Sequence, residues 1–203
     1  MDKLAARNFL ADVTQTSAIG MARSLEYNVS HRAILKLANA TVDDPKDDNL
    51  YALACAVYGW MPTILKKFEP NRFKVKEPIK VVRSVSTRDE AKLFLDKNMN
   101  SAPINNSWVG TSKLLYFINP DFFPIWDSRV ARCFGVQTKQ SPNSKIKYLD
   151  YFDFMHDEVE KKHHWVADIA GYISNEYGSV PSDLRCLEIS LFNRGRELLK
   201  RDK

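Results

Sequence analysis

Asp127 and Lys113 are the two side chains whose type and setting point most directly to chemistry. Asp127 follows Trp126 and precedes Ser128, Arg129, Val130, Ala131 and Arg132, a run that reads as a short helix. An Asp at that position accepts hydrogen bonds from the first-turn amides, which favour its ionised form. An ionised carboxylate is a poor general acid and a good electrostatic partner for a cation that develops during a reaction. The competing reading is an ordinary helix cap, since Asp is among the commonest residues there. Lys113 offers an amine that can act as a Schiff-base nucleophile, contact phosphate or lie on a solvated helix face.

The surroundings of both residues carry a resemblance. Trp108-Val109-Gly110-Thr111-Ser112-Lys113-Leu114-Leu115 resembles the hairpin and following helix of helix-hairpin-helix DNA glycosylases, where a Gly-Val-Gly-x-Lys pattern lets backbone amides approach a phosphate. Ile125-Trp126-Asp127-Ser128-Arg129-Val130-Ala131-Arg132-Cys133-Phe134-Gly135 is similar to that superfamily's stretch of catalytic Asp, Thr-His-Val, Arg and Leu-Gly. Asp127, Val130, Arg132 and Gly135 fall in register; Ser128 and Arg129 stand where Thr and His are usual. Ser112 to Phe117 and Pro120 to Val130 look most like a prokaryotic oxoguanine-glycosylase-like branch, which includes anti-phage glycosylases acting on hypermodified cytosine. Gly110 is alone of the hairpin's glycines, the gap from Lys113 to Asp127 is several residues shorter than usual, and no iron–sulfur cysteines follow.

The resemblance implies a DNA N-glycosylase that flips a modified or damaged base out of double-stranded DNA and hydrolyses its N-glycosidic bond, leaving an abasic site. Asp127 would stabilise the oxocarbenium-like sugar and orient or deprotonate water. Trp126, Trp60, Tyr116 and Trp108 are the candidate walls of a base pocket, although core packing is the commoner fate of any one aromatic. Gly110, Thr111 and Ser112 are candidate phosphate contacts at a helix start. Arg129 and Arg132 would bind phosphates or pair with acids. Lys113 is the candidate nucleophile, but its shortened gap to Asp127 departs from the lyase spacing, so the expected enzyme is monofunctional. The substrate implied is glucosylated hydroxymethylcytosine in phage DNA, for antiviral defence, or oxidised guanine, for repair.

The bulk properties agree with a polyanionic partner. The formal net charge is +5, and seven cations, Lys74 and Lys76 among them, lie between Lys66 and Arg83 against only Glu69 and Glu77. Lys161, Lys162, His163 and His164 form a second cluster, and Arg194, Arg196, Lys200, Arg201 and Lys203 a third. Any single cluster reads more simply as a solvated surface; three together favour nucleic acid. Cys55, Cys133 and Cys186 are far apart and lack zinc-ribbon spacing, and the histidines lack metal-site spacing, so neither metal nor cofactor is expected. No apolar run spans a bilayer and the N-terminus lacks a signal-peptide core; a cytoplasmic monomer is expected.

The elements that must position these residues read as an all-α array. Helices are expected over 3–27 (one or two), from His31 to Ala38 capped by Ser30, over 49–60, and after Thr87 with Glu90 as a capping box. Further helices are expected over 107–118, 128–134, 146–161 and 165–176, and from Ser182 to about Lys200. Pro62 would open a helical turn. Pro70, Pro78 and the β-branched Val75, Ile79, Val81, Val82 and Val85 predict an extended or looped basic connector over 69–86. The chain is expected to be one helical domain, or two lobes over about 1–106 and 107–203 with the active site between them. Two further readings are a non-catalytic DNA- or RNA-binding relative of a glycosylase, and a protein-interaction module.

Overall fold

The computed structural model describes residues 1–23, 28–60, 65–136 and 142–201, and the expected turn at Pro62 lies outside them. Among the described residues the protein is all-α, with eleven α-helices, one 3₁₀ turn and no strand. The chain forms two compact units. One combines Met1–Asn28 with Pro124–Lys203; the other is Val29–Phe123. The boundary expected near residue 106 therefore falls inside the second unit.

The second unit is built around α7 (Trp108–Ile118). Every residue of α7 except Val109 is buried, and it packs on α4 (Asp47–Trp60) and α5 (Pro78–Ser84). Leu114, Leu115 and Phe117 are fully enclosed, and burial of such a side chain is worth about 1.5–3 kcal/mol. The α4–α7 approach is close enough that a Cβ on Gly110 would stand 2.6 Å from the Tyr58 ring. Asn119, just past the end of α7, donates to Val82 O at 3.0 Å and Val85 O at 2.9 Å, satisfying the terminal carbonyls of α5.

The basic connector departs from its expected form. Residues 78–84 are helical, not extended, because Pro78 occupies the first turn, where no N–H is needed, and Ile79 and Val82 are both buried one turn apart. Burial at helical spacing outweighs the weak helix propensity of the β-branched run. Upstream, Pro70–Arg72 is a 3₁₀ turn, and isolated antiparallel bridges join Phe68 to Ile104 and Phe73 to Met99. α3 (Asn28–Asp43) starts before Ser30 and runs past Ala38. In contrast, α6 (Arg88–Asn98) starts as expected. Thr87 Oγ1 accepts from Glu90 N at 3.2 Å, while the Glu90 carboxylate accepts from Ser86 N at 2.8 Å. The bonds from the Ser86 backbone N–H and hydroxyl hold the Glu90 carboxyl below its usual pKa.

The first unit centres on α11 (Asp183–Arg201), whose residues Leu184 to Leu191 are continuously buried. Around it lie α1 (Lys3–Ala11), α2 (Gln15–Arg23), α8 (Ser128–Arg132), α9 (Lys145–Glu160) and α10 (Trp165–Tyr177). Ser182 Oγ accepts from Arg185 N at 3.3 Å, the expected cap of α11. Arg185 and Glu188, one turn apart and buried, form an ion pair. Trp165 donates its indole N–H to Leu10 O at 3.0 Å, which fixes α1 against the start of α10. Gly178 ends α10 with φ of 66°, a conformation that costs glycine little.

Candidate functional site

Asp127 sits at the end of a buried, anchored segment. Tyr148 donates to Pro124 O at 3.3 Å, and Trp126 donates its indole N–H to Pro142 O at 2.8 Å. The Trp126 ring is fully buried, 4.9 Å from Tyr151 and 6.1 Å from Phe134 between centroids. Trp126 is thus core; instead of forming a wall open to a base, it supports Asp127 from behind. Asp127 itself is half-buried and caps α8: Oδ1 accepts from Arg129 N at 2.8 Å, and its carbonyl accepts from Ala131 N at 2.8 Å. These bonds fix the carboxylate relative to the helix.

α8 has only five residues and takes its rigidity from its neighbours. Val130 is fully buried, and Cys133 donates its thiol to Leu191 O at 3.1 Å on α11. Gly195 is the contact point: a Cβ there would lie 2.0 Å from Arg129 O, so only glycine lets the two backbones approach this closely. Gly135 closes the segment at φ 71°, and Asp2 N donates to Phe134 O at 3.0 Å, tying α1 to the same turn. The four residues in glycosylase register therefore have local duties: Asp127 caps, Val130 fills the core, half-buried Arg132 lies in the last turn, and Gly135 adopts the left-handed conformation. Arg129 is exposed, with its guanidinium 4.8 Å from the Phe192 ring centre.

The remaining predicted site residues belong to the second unit. Lys113 is buried, and its ammonium lies 5.8 Å from the Trp60 ring centre; a solvated helix face is therefore the wrong reading for it. Trp60 and Tyr116 come together around His31. Tyr116 Oη is 2.9 Å from His31 Nε2, and the His31 ring lies 5.9 Å from Trp60 and 5.3 Å from Phe117. His31 carried no local signal in the sequence, where it was only a helical residue after Ser30. Trp108 is core.

The expected phosphate contacts are occupied otherwise. Ser107 Oγ accepts from Gly110 N at 3.3 Å, and Ser107 O from Thr111 N at 2.9 Å. Thr111 and Ser112 are fully buried, and Ser112 Oγ donates to Val109 O at 3.0 Å. Gly110 admits Tyr58, not a phosphate, because the helix start is sunk into the unit's core.

The basic clusters divide by their partners. Arg72 pairs with Glu69 at 2.7 Å and donates to Ala102 O, Lys67 pairs with Glu69 at 2.9 Å, and Lys80 with Glu77 at 2.7 Å. Lys74 and Lys76 are exposed and form no ion pair among the described residues. In the first unit, Glu158 is buried and accepts from Lys161 at 2.7 Å, Arg7 at 3.0 Å and His163 at 3.1 Å. Burial works to raise its pKa, but the hydrogen bonds from Lys161, His163 and Arg7 prevail and hold it below the usual value. Beside it a cavity of about 290 Å³ is bounded by Lys162, His164, Asp183 and Leu187. Burial pushes the Cys133 and Cys186 thiols up to about 12, while Cys55 is exposed.

Among the described residues no three His, Cys, Asp or Glu side chains are grouped to hold a metal ion, and no helix is long and apolar enough to cross a membrane. Compared with known proteins, the chain matches no family profile, no curated protein and no solved structure.

Proposed function

We propose that this protein is a DNA glycosylase of helix-hairpin-helix type whose catalytic carboxylate is Asp127. The observation that carries the reading is the way Asp127 is held. An N-glycosidic bond breaks with positive charge spreading over the sugar, and a fixed carboxylate stabilises that charge without reorganising at the moment of reaction. Asp127 is half-buried, bound through Oδ1 to Arg129 N, and mounted on a segment anchored by Trp126, Val130 and Gly195. The all-α architecture and the Asp127–Gly135 register are compatible with that family. The substrate is a modified base in double-stranded DNA, either hypermodified cytosine of phage DNA or oxidised guanine, acted on in the cytoplasm by water activated at Asp127.

Lys113 has no part in the reaction under this reading. Its burial beside Trp60 suits a packing role, and the product is an abasic site with the strand intact. The test is incubation of the purified protein with duplexes containing glucosylated hydroxymethylcytosine, hydroxymethylcytosine, oxoguanine or unmodified bases, followed by mass spectrometry of the released base. Release from one modified duplex supports the reading; no free base from any of them removes it.

A second reading, a DNA-binding relative without chemistry, draws on one observation. The Ser107–Ser112 segment expected to contact phosphate is buried or internally hydrogen-bonded. Duplex binding that weakens with salt, together with no base release, would select it.

A further inference from the structure

With the hairpin-like segment buried, any nucleic acid must be held by other groups. We infer that a row of cations along the α8–α11 edge, Arg129, Arg196 and Lys200, grips the phosphate backbone of a DNA strand beside Asp127. This deepens the glycosylase reading and rests on it for the identity of the partner.

The row follows from helix geometry. Residues 192, 196 and 200 recur every four positions, so they stand one above another along one edge of α11, about 6 Å apart along the axis. Phe192 begins this line, and the Arg129 guanidinium lies 4.8 Å from its ring centre. Arg129 thereby supplies the first cation of the row, and Arg196 and Lys200 continue it. Gly195 fixes the register: α8 approaches so closely that a Cβ there would meet Arg129 O at 2.0 Å. Arg129 is also two residues from Asp127 and donates its backbone N–H to that carboxylate at 2.8 Å.

Charge along the edge is available to a partner. Arg129 and Lys200 are exposed and Arg196 is half-exposed. None of the three forms an ion pair among the described residues, whereas the neighbouring Glu197 is occupied by Arg194 at 3.3 Å. Cations in a last helical turn also stabilise the helix dipole; that explains Lys200 but not Arg196, which lies before the last turn, or Arg129 on another helix. A strand lying along the row would present its phosphates to three successive cations and its sugar toward Asp127.

The experiment is fluorescence-anisotropy titration of the full chain against a labelled duplex over a range of salt. Arg129→Ala, Arg196→Ala, Lys200→Ala, the triple variant and the control Lys97→Ala, an exposed lysine outside the three clusters, are compared, with circular dichroism to verify folding. Each cation that neutralises a phosphate contributes about 0.9 to the slope of log K against log salt. Each row variant should therefore reduce the slope by about 0.9 and the triple variant by about 2.7, with Lys97→Ala unchanged. Unchanged slopes for Arg196→Ala and Lys200→Ala overturn the row, as does wild-type protein without salt-dependent binding. A protein that binds with these slopes but releases no base keeps the row and sinks the glycosylase reading.

Discussion

Two helix starts, at Ser107 and at Asp127, share a local design and have opposite surroundings. Both are opened by a side-chain oxygen that accepts a first-turn amide, Ser107 from Gly110 N at 3.3 Å and Asp127 from Arg129 N at 2.8 Å. Both need a glycine for a close approach. At α7 the glycine is in the helix itself, Gly110, and the visitor is the Tyr58 ring; at α8 the glycine is in the partner helix, Gly195, and the visitor is the α8 backbone. The first start is buried in the core of its unit, while the second leaves Asp127 half-buried and Arg129 exposed. A glycine in a motif announces that something comes close. It does not say whether that is a phosphate, a ring or another helix.

Alanine at the two glycines breaks this comparison most directly. Gly195→Ala should cost most, about 2–3 kcal/mol in urea melts even after the helix-propensity gain of alanine, because the obstructing atom is backbone. Base release should fall with it, since the Asp127 carboxylate is displaced. The same variant should expose Cys133 to alkylation. In the wild type only Cys55 of the three thiols should react at neutral pH, since burial raises Cys133 and Cys186 to about 12. Gly110→Ala should cost less, about 1–2 kcal/mol, because the Tyr58 ring can shift. DNA affinity should not change. A large loss of affinity at unaltered stability would restore the phosphate role of Gly110.

Acid titration reads the other well-bound carboxylate of the first unit, Glu158. Glu158 has a lowered pKa in the folded state, so the stability it confers is complete above its unfolded value of about 4.3. That stability is lost as pH falls through the lower folded value. Glu158→Gln should flatten this part of the stability curve, read from thermal midpoints between neutral and acid pH. Lys113→Met is expected to have the smallest effect, with base release retained. Borohydride should trap no covalent adduct with wild-type protein; an adduct would make Lys113 or another amine a nucleophile.

Much of the fold was legible because its signals are local. Thr87 with Glu90 and Ser182 mark helix starts through hydrogen bonds made within a few residues, and the structure uses both so. The helix at Pro78 was not legible, since it exists because Ile79 and Val82 are buried by distant parts of the chain. The same limit applies to the site. Asp127 was readable as a cap, but Trp126 as its buried support, Gly195 as the seat of α8 and His31 beside Tyr116 depend on contacts between residues far apart in sequence. The burial of Gly110–Ser112 was not legible for that reason: nothing local distinguishes a helix start facing solvent from one facing Tyr58.

The central claim, that Asp127 is a catalytic carboxylate and more than a cap, is tested most directly by Asp127→Asn under single turnover on the modified duplex that releases most base. Asparagine caps a helix about as well as aspartate, so folding and thermal midpoint should stay near wild type. Loss of a preorganised charge at the reacting centre should lower the rate of base release by about 100- to 1,000-fold. A well-folded Asp127→Asn protein that releases base at the wild-type rate would contradict the claim and leave Asp127 as a helix cap.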